Sequence, residues 1–158
     1  MELHNKMETE NERDALLLVM RQQQSRYGVP AACVEEIITM PAITAIPRQP
    51  AFLRGIFSYK GRVIPVLSLQ ALCGCGAGES EAVCVVLRAG DTLLALTADN
   101  AESLITDTGE RMRYDETLMN GELVRLSCVL PGDPAVFVLD LEKMVDAAAN
   151  RLNAAAGV

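Results

Sequence analysis

The chain carries an internal repeat, and that repeat limits the folds open to it. Shifted by 67 residues, Val34-Glu35-Glu36-Ile37-Ile38 falls on Ala101-Glu102-Ser103-Leu104-Ile105. Shifted by 72, Ile64-Pro65-Val66-Leu67-Ser68-Leu69-Gln70-Ala71-Leu72 falls on Val136-Phe137-Val138-Leu139-Asp140-Leu141-Glu142-Lys143-Met144. Both halves follow one plan: strand, strand, short turn, long loop, strand, turn, strand, short helix. About five short strands per half suit a small closed barrel, which leaves no long exposed edge. The expectation is a mostly β chain of two barrels side by side, the first over about 15–82 and the second over about 83–145. Residues 1–14 are polar and charged and read as a mobile tail, and 146–158 as the end of a C-terminal helix and a frayed tail.

Within this plan the densest stretch is Gly55–Leu72. The apolar run Ala51–Phe57 leads into a polar-aromatic turn, Ser58-Tyr59-Lys60-Gly61, where glycine accepts a positive φ without a Cβ clash. Val63-Ile64-Pro65-Val66-Leu67 reads as a buried strand. Pro65 has no N–H to give a ladder, which puts that strand at an edge or a bulge. Two strands around a glycine turn make a hairpin with basic residues at its tip.

The remaining elements follow from punctuation and pattern. Ala15–Met20 is a compact apolar run read as the first strand, although periodicity alone also admits a helical turn. Ala31–Ile38 places Val34, Ile37 and Ile38 on one side of a short helical turn, or of a turn leading into a strand. Pro41, Pro47 and Pro50 make the following loop semi-rigid. Val83–Leu87 and Thr92–Thr97 flank the Ala89-Gly90-Asp91 turn, Leu123–Val129 reads as a half-solvated strand, and Pro131-Gly132-Asp133-Pro134 is a turn. Val136–Leu139 is the last buried strand, and Leu141, Met144, Val145 and Leu152 recur at helical spacing.

Charge is distributed unevenly. The net charge is −7, yet Ile37 through Gly78 contains no Asp or Glu and four cations, Arg48, Arg54, Lys60 and Arg62. That segment reads either as strand-rich sequence that disfavours carboxylates or as a basic face for an acidic or mixed-charge partner. No apolar run reaches the roughly 18 residues of a membrane span, and the N-terminus lacks the apolar core of a secretory signal. Cys33, Cys73, Cys75, Cys84 and Cys128 have no framework spacing and read as thiols in a reducing cytoplasm.

Taken together, several of these pieces resemble the CheW-like domain family of bacterial chemotaxis. They are Tyr27-Gly28-Val29-Pro30 with Val34-Glu35-Glu36-Ile37, Pro47, Pro50-Ala51-Phe52-Leu53-Arg54-Gly55-Ile56, Lys60–Leu69, Asp99, and Val138–Lys143. The chain departs from the family pattern at Ser58-Tyr59-Lys60-Gly61, commonly Asn-Leu-Arg-Gly, and at Ser68, commonly Asp. The resemblance implies two SH3-like five-stranded barrels and a non-enzymatic cytoplasmic adaptor. Such an adaptor links the cytoplasmic tip of a methyl-accepting chemoreceptor to the regulatory domain of a CheA-type histidine kinase. It would need no cofactor, and it would be recruited to membrane receptor arrays without inserting into the membrane. By motif position, Val34, Glu36, Ile37, Gly55, Lys60 and Ile64 would lie at a receptor groove, while the kinase-binding residues stay unassigned. From the residues alone, Val34 and Ile37 read equally as core, and Lys60 as a solvated turn lysine; Asp99 and Asp140 read as turn or helix caps.

Catalysis and metal binding find little purchase. The single histidine, His4, sits in the tail, away from any Ser or Cys nucleophile arrangement. Cys73-Gly74-Cys75 has no second ligand pair at zinc spacing, and Gly74-x-Gly76-x-Gly78 fits neither a dinucleotide fingerprint nor a P-loop. The rival from another class is a small-barrel module for single-stranded nucleic acid. It would use Arg54, Phe57, Tyr59, Lys60 and Arg62 as a basic stacking platform, against an acidic pI near 4.7.

Overall fold

The computed structural model describes residues 16–23, 25–48, 51–69, 71, 82–106, 111–112, 124–128 and 136–146, with 111–112 and 124–128 as backbone. The polar tail, Cys73-Gly74-Cys75, Pro131–Pro134 and residues 147–158 lie outside these. The strands are β1 Leu16–Gln22, β2 Ser25–Pro30, β3 Val34–Thr39, β4 Leu53–Tyr59, β5 Arg62–Ser68, β6 Val83–Ala89, β7 Thr92–Ala98, β8 Asn100–Thr106, β9 Arg111–Met112, β10 Val124–Cys128 and β11 Val136–Leu139. A 3-10 turn, Ala31–Cys33, separates β2 from β3, and residues 141–146 are helical.

The strands form two sheets, one ordered β8-β1-β2-β11-β10-β9 and the other β3-β6-β7-β5-β4. The six-stranded sheet exceeds the expected five by the two-residue β9. Leaving β9 aside, the two orders correspond strand for strand, and so does their register. Leu18 lies opposite Leu104 and Val85 opposite Ile37, each pair separated from its counterpart by the 67-residue shift. The duplication is therefore real in three dimensions.

Its partition differs from the expected cut near residue 82. Each sheet takes its central hairpin from the other half of the chain: β1–β2 pair with β8 and β11, while β6–β7 pair with β3 and β5. The connections explain this. Only Asp99 separates β7 from β8, fewer residues than the two a tight hairpin turn uses. β8 cannot fold back on β7 and runs on into the neighbouring sheet. At the equivalent point in the first half, the 3-10 turn carries the chain from β2 into β3 of the other sheet.

Hairpin exchange also explains the unbroken apolar runs. Cys84 and Val86 of β6, with Leu93 and Ala95 of β7, face an interior made with Phe57, Tyr59, Ile64 and Val66. Val85, Leu87, Leu94 and Leu96 face the opposite way, into a layer shared with Leu18, Met20, Tyr27 and Val29 of the other sheet. Leu17 packs with Val138 on the far side of β1. Strands buried on both faces lose the polar alternation of a half-exposed strand, so the run resolves, from Leu16 on, as the strand β1.

Local chemistry pins the exchanged pieces. Asp99 Oδ2 accepts from the Gln23 N–H at 2.7 Å, where Gln23 turns with φ 55°, so one half caps the hairpin tip of the other. Ser68 Oγ accepts from the Ala71 N–H at 3.2 Å and Asp140 Oδ1 from the Lys143 N–H at 3.1 Å. These are the same N-cap, 72 residues apart. Glu35 and Glu102 occupy matching bulges in β3 and β8. Glu35 pairs with Arg88, and Glu102 with Arg21 at 3.5 Å and Arg26 at 3.2 Å. The hydrogen bond to Glu35 and then its charge raise the Arg88 pKa further. Such solvated pairs add little stability, but each joins opposite halves at a set register.

Pro65 needs a correction. β5 lies between β7 and β4 and is not an edge strand. The Ile56 N–H and C=O both bond to Thr44, at 2.9 and 2.8 Å, so the Ile56–Pro65 pair exchanges no hydrogen bonds. The proline nitrogen points toward β7, whose ladder with β5 begins only at Val66. Proline is tolerated because its missing donor falls where no acceptor waits.

Because neither half holds a complete sheet, fragments 1–72 and 73–158 should each lack cooperative unfolding alone. Mixed in equal amounts, they should regain a single transition by circular dichroism. Independent folding of either fragment would contradict the exchanged pairing.

Candidate functional site

Of the six residues carried over from the family motif, Glu36 and Lys60 meet at one point, with Tyr59 between them. Tyr59 ends β4 and Arg62 begins β5, paired directly across a two-residue loop. Lys60 and Gly61 hold φ of 46° and 80°, the double positive φ of a type I′ turn. Glycine meets that demand freely, whereas lysine holds it under strain. The Tyr59 hydroxyl donates to Glu36 Oε2 at 2.7 Å. Lys60 Nζ lies 3.9 Å from the same oxygen and 5.3 Å from the Tyr59 ring centroid.

This cluster closes the barrel. β3 and β4 are opposite edges of the five-stranded sheet, yet Glu36 on one reaches Tyr59 on the other. Ile38, Met40 and Ile43 plug the interior beneath. The hydrogen bond to Glu36, followed by burial, raises the Tyr59 pKa above its ordinary 10. With the folded value raised, the phenol stays a donor throughout the neutral range, and the bond is lost only as pH climbs through that higher value. Lys60, with its side chain 73% exposed, keeps its ammonium in water.

The bulge at Glu35 decides which β3 residues share a face. Val34 pairs with Leu87 and Ile37 with Val85, both facing the layer between the sheets, while Ile38 pairs with Cys84 and points into the barrel. Val34 is partly buried against that layer. Ile37 is 45% exposed. Its repeat counterpart Leu104, opposite Leu18 on β8, is 59% exposed. Sequence reasoning passed over Leu104, although the 67-residue shift aligns it with Ile37. Two large apolar side chains thus stand uncovered on the two sheet edges bordering the inter-sheet layer.

Gly55 and Ile64 serve from within. Gly55 has φ +139°, and a Cβ there would collide with the Thr44 carbonyl oxygen and lie 2.6 Å from Ile43 Cγ2. It is the crossing point of the strap around Thr44 over β4. Ile64 is 2% exposed in the barrel interior and supports Tyr59 from below. The same interior corrects the nucleic-acid alternative. Phe57 and Tyr59 are 7% and 8% exposed and face inward, so they offer no rings for bases to stack on. Among the described residues, no three His, Cys, Asp or Glu side chains group to hold a metal ion.

A family model, the CheW-like domain, matches residues 15–149. The chain belongs to the CheW-like domain family. It is 24% identical to a Klebsiella aerogenes chemotaxis protein CheW over 81% of this chain and 80% of that one. It is also 24% identical to a Treponema pallidum chemotaxis protein CheW over 85% and 84%. A stretch of 44 residues is 41% identical to protein FrzA of Myxococcus xanthus, covering 28% of each chain. The crystal structure of the scaffolding protein TtCheW from Thermoanaerobacter tengcongensis superposes with a TM-score of 0.73 at 21% identity, over 81% of this chain and 85% of that one. In this CheW-like domain the fold is thus the two-sheet one, with Lys60 in the β4–β5 turn and Ser68 as the cap that follows β5.

Two substitutions separate turn strain from barrel closure. Lys60→Gly should raise stability by about 1 kcal/mol, by removing the cost of a left-handed lysine. Gly55→Ala should lower it by about 2–4 kcal/mol, through the clash with the strap and a disfavoured φ. Urea unfolding checks both, and equal effects of one sign would contradict the geometry.

Proposed function

We propose that this chain is a chemotaxis coupling adaptor that works by protein–protein contacts and carries out no catalysis. Under this reading it joins the cytoplasmic tip of a methyl-accepting chemoreceptor to the regulatory domain of a CheA-type histidine kinase. The observation that carries the proposal is the family match across residues 15–149, and the surface chemistry supports it.

A receptor tip is a helical hairpin, and a helix docks through apolar anchors with charges at the rim. Ile37 and Leu104 supply uncovered apolar anchors. Lys60, tethered loosely through Glu36 at 3.9 Å, supplies a cation that can turn to a carboxylate on the helix. Val34 backs Ile37 from the half-buried side, while Gly55 and Ile64 hold the strap and hairpin in place. None of this needs a cofactor. No helix among the described residues is long and apolar enough to cross a membrane, so attachment to a receptor array would come through the receptor itself.

The repeat locates the asymmetry this role requires. The shift that matches Ile37 with Leu104 places Ser103 where β3 carries Glu36. The anchor is duplicated, whereas the acidic partner of the Tyr59–Lys60 turn is confined to one barrel. A duplicated fold with one charged end presents a single orientation to a helix.

Lys60→Glu should weaken capture by receptor cytoplasmic fragments by about tenfold or more, as loss of a rim cation opposite a carboxylate does, with the melting temperature little changed. The reversed pair Glu36→Lys with Lys60→Glu should keep the fold and still bind poorly. Unchanged capture by Lys60→Glu would contradict the reading.

A further inference from the structure

Cys84 and Met40 make a contact that docking does not use. The Cys84 thiol donates to the Met40 sulfur at 3.4 Å. Met40 follows β3, and its N–H bonds to the Ala82 carbonyl at 3.3 Å, which carries the β3–β6 ladder one step beyond Thr39. Glu36, Ile38 and Met40 alternate onto one face. Glu36 meets Tyr59 at one end of the barrel, Ile38 lies opposite Cys84, and Met40 packs against the interior at the other end.

That face seats the outer side of β3. The strand is an edge of its sheet, bonded to β6. Its other side is held by Glu36 on Tyr59 at one end. At the far end it is held by Met40 and Ile43, which pack against the core of Phe57, Val66 and Cys84 before the strap bridges to Ile56 at Thr44. Cys84 is fully buried there. Of the methionines whose side chains are described, Met20 and Met144 are fully buried, whereas Met40 is half-buried. An oxidant arriving from solvent reaches Met40 before the other two.

We propose that Met40 is a reversible peroxide-modification site, whose sulfoxide unseats the outer side of β3 and uncovers Cys84. Hydrogen peroxide is the oxidant. The Met40 sulfur gives an electron pair to one peroxide oxygen, the S–O bond forms, and the O–O bond breaks. The other oxygen leaves as water with both peroxide protons, so the sulfur is oxidised by two electrons. The thioether becomes a polar sulfoxide, which costs free energy to keep against an apolar core. The Cys84 thiol that faces it is a weak donor and offsets little of that cost. An unbranched methionine can turn out to water, leaving β3 tied to β4 at its Glu36 end. Methionine sulfoxide reductases reverse the change. Resting on the adaptor reading, capture of a receptor by the edge that carries Ile37 becomes peroxide-sensitive.

The test treats the full chain with hydrogen peroxide, removes the excess with catalase and labels thiols with N-ethylmaleimide. Peptide mass spectrometry reads the oxygen on each methionine and the label on each cysteine, Cys33 included. Met40→Leu keeps the apolar volume without an oxidisable sulfur, and Met40→Gln sets a polar amide in its place. The expected result is that Met40 gains oxygen about tenfold faster than Met20 and Met144, and that Cys84 then labels about tenfold faster. Met40→Gln should label fast without peroxide, and Met40→Leu slowly with it. Methionine sulfoxide reductases A and B should return treated wild type to slow labelling. If Met40→Gln does not fold in a thermal melt, treated wild type carries the comparison. Receptor-fragment capture should fall about fivefold in treated wild type and stay within about twofold in treated Met40→Leu. Oxidation of Met40 no faster than of Met20, a Cys84 that stays masked once Met40 is oxidised, or unmasking by peroxide in Met40→Leu overturns the site. Unmasking with receptor capture unchanged overturns its effect on docking. Untreated protein that captures no receptor fragment overturns the adaptor reading instead, and the labelling result then decides the Met40 site by itself.

Discussion

Everything in this molecule rests on the apolar layer between the two sheets, where Leu18, Met20, Tyr27 and Val29 of one meet Val85, Leu87, Leu94 and Leu96 of the other. The strands contributing to that layer are the exchanged hairpins. Each hairpin is bonded edgewise into strands of the opposite half and packed facewise against the other hairpin. Sheet pairing, barrel interior and inter-sheet packing therefore share residues on adjacent positions of the same strand, as Cys84 and Val85 do. A change that loosens one layer is felt in the next, because close-packed interiors transmit strain. The result is a stiff support for two sheet edges and a hairpin.

The two copies of the repeat share most of their local contacts and diverge at one cluster. The Arg–Glu bulge pairs, the N-caps at Ser68 and Asp140, and the exposed pair Ile37 and Leu104 persist in both. The Glu36–Tyr59–Lys60 closure has Ser103 in place of its carboxylate in the second copy. Shared features hold the barrels in register, and under the proposed function the unshared one is where a partner would tell the two ends apart. Its energetics suit contact more than chemistry: a solvated ammonium, a carboxylate already bonded to a phenol, and apolar side chains standing in water.

Much of the fold was legible in the sequence, for identifiable reasons. The 67- and 72-residue shifts marked the strand order, Gly61 and Gly90 marked the turns, and Asp140 read as a cap because it lies three residues before the Lys143 N–H; Asp99 also caps a turn, but that of Gln23, 76 residues away in sequence. The exchange of hairpins was not legible. β1 and β6 are equivalent runs, apolar on both faces, so either sheet would accept either hairpin; only the length of the β7–β8 connection decides, and that is a matter of geometry. Gly55 and Pro65 were noticed, but their reasons lie in the Thr44 strap, which is close in space yet distant in sequence, more so from Pro65 than from Gly55. At the site, Glu36 and Lys60, both named from the motif, meet through Tyr59, whereas alternation along β5 turns Ile64, named with them, into the barrel.

The central claim is that the two sheets form one cooperative unit because each is built from both halves of the chain. Native-state hydrogen exchange measured across increasing denaturant tests it most directly. The amides of β1, β2, β6 and β7 should converge on one common opening free energy equal to that of global unfolding. Amides of β6 and β7 that open together at a clearly lower free energy, while those of β1 and β2 stay protected, would show two separable barrels and contradict the account.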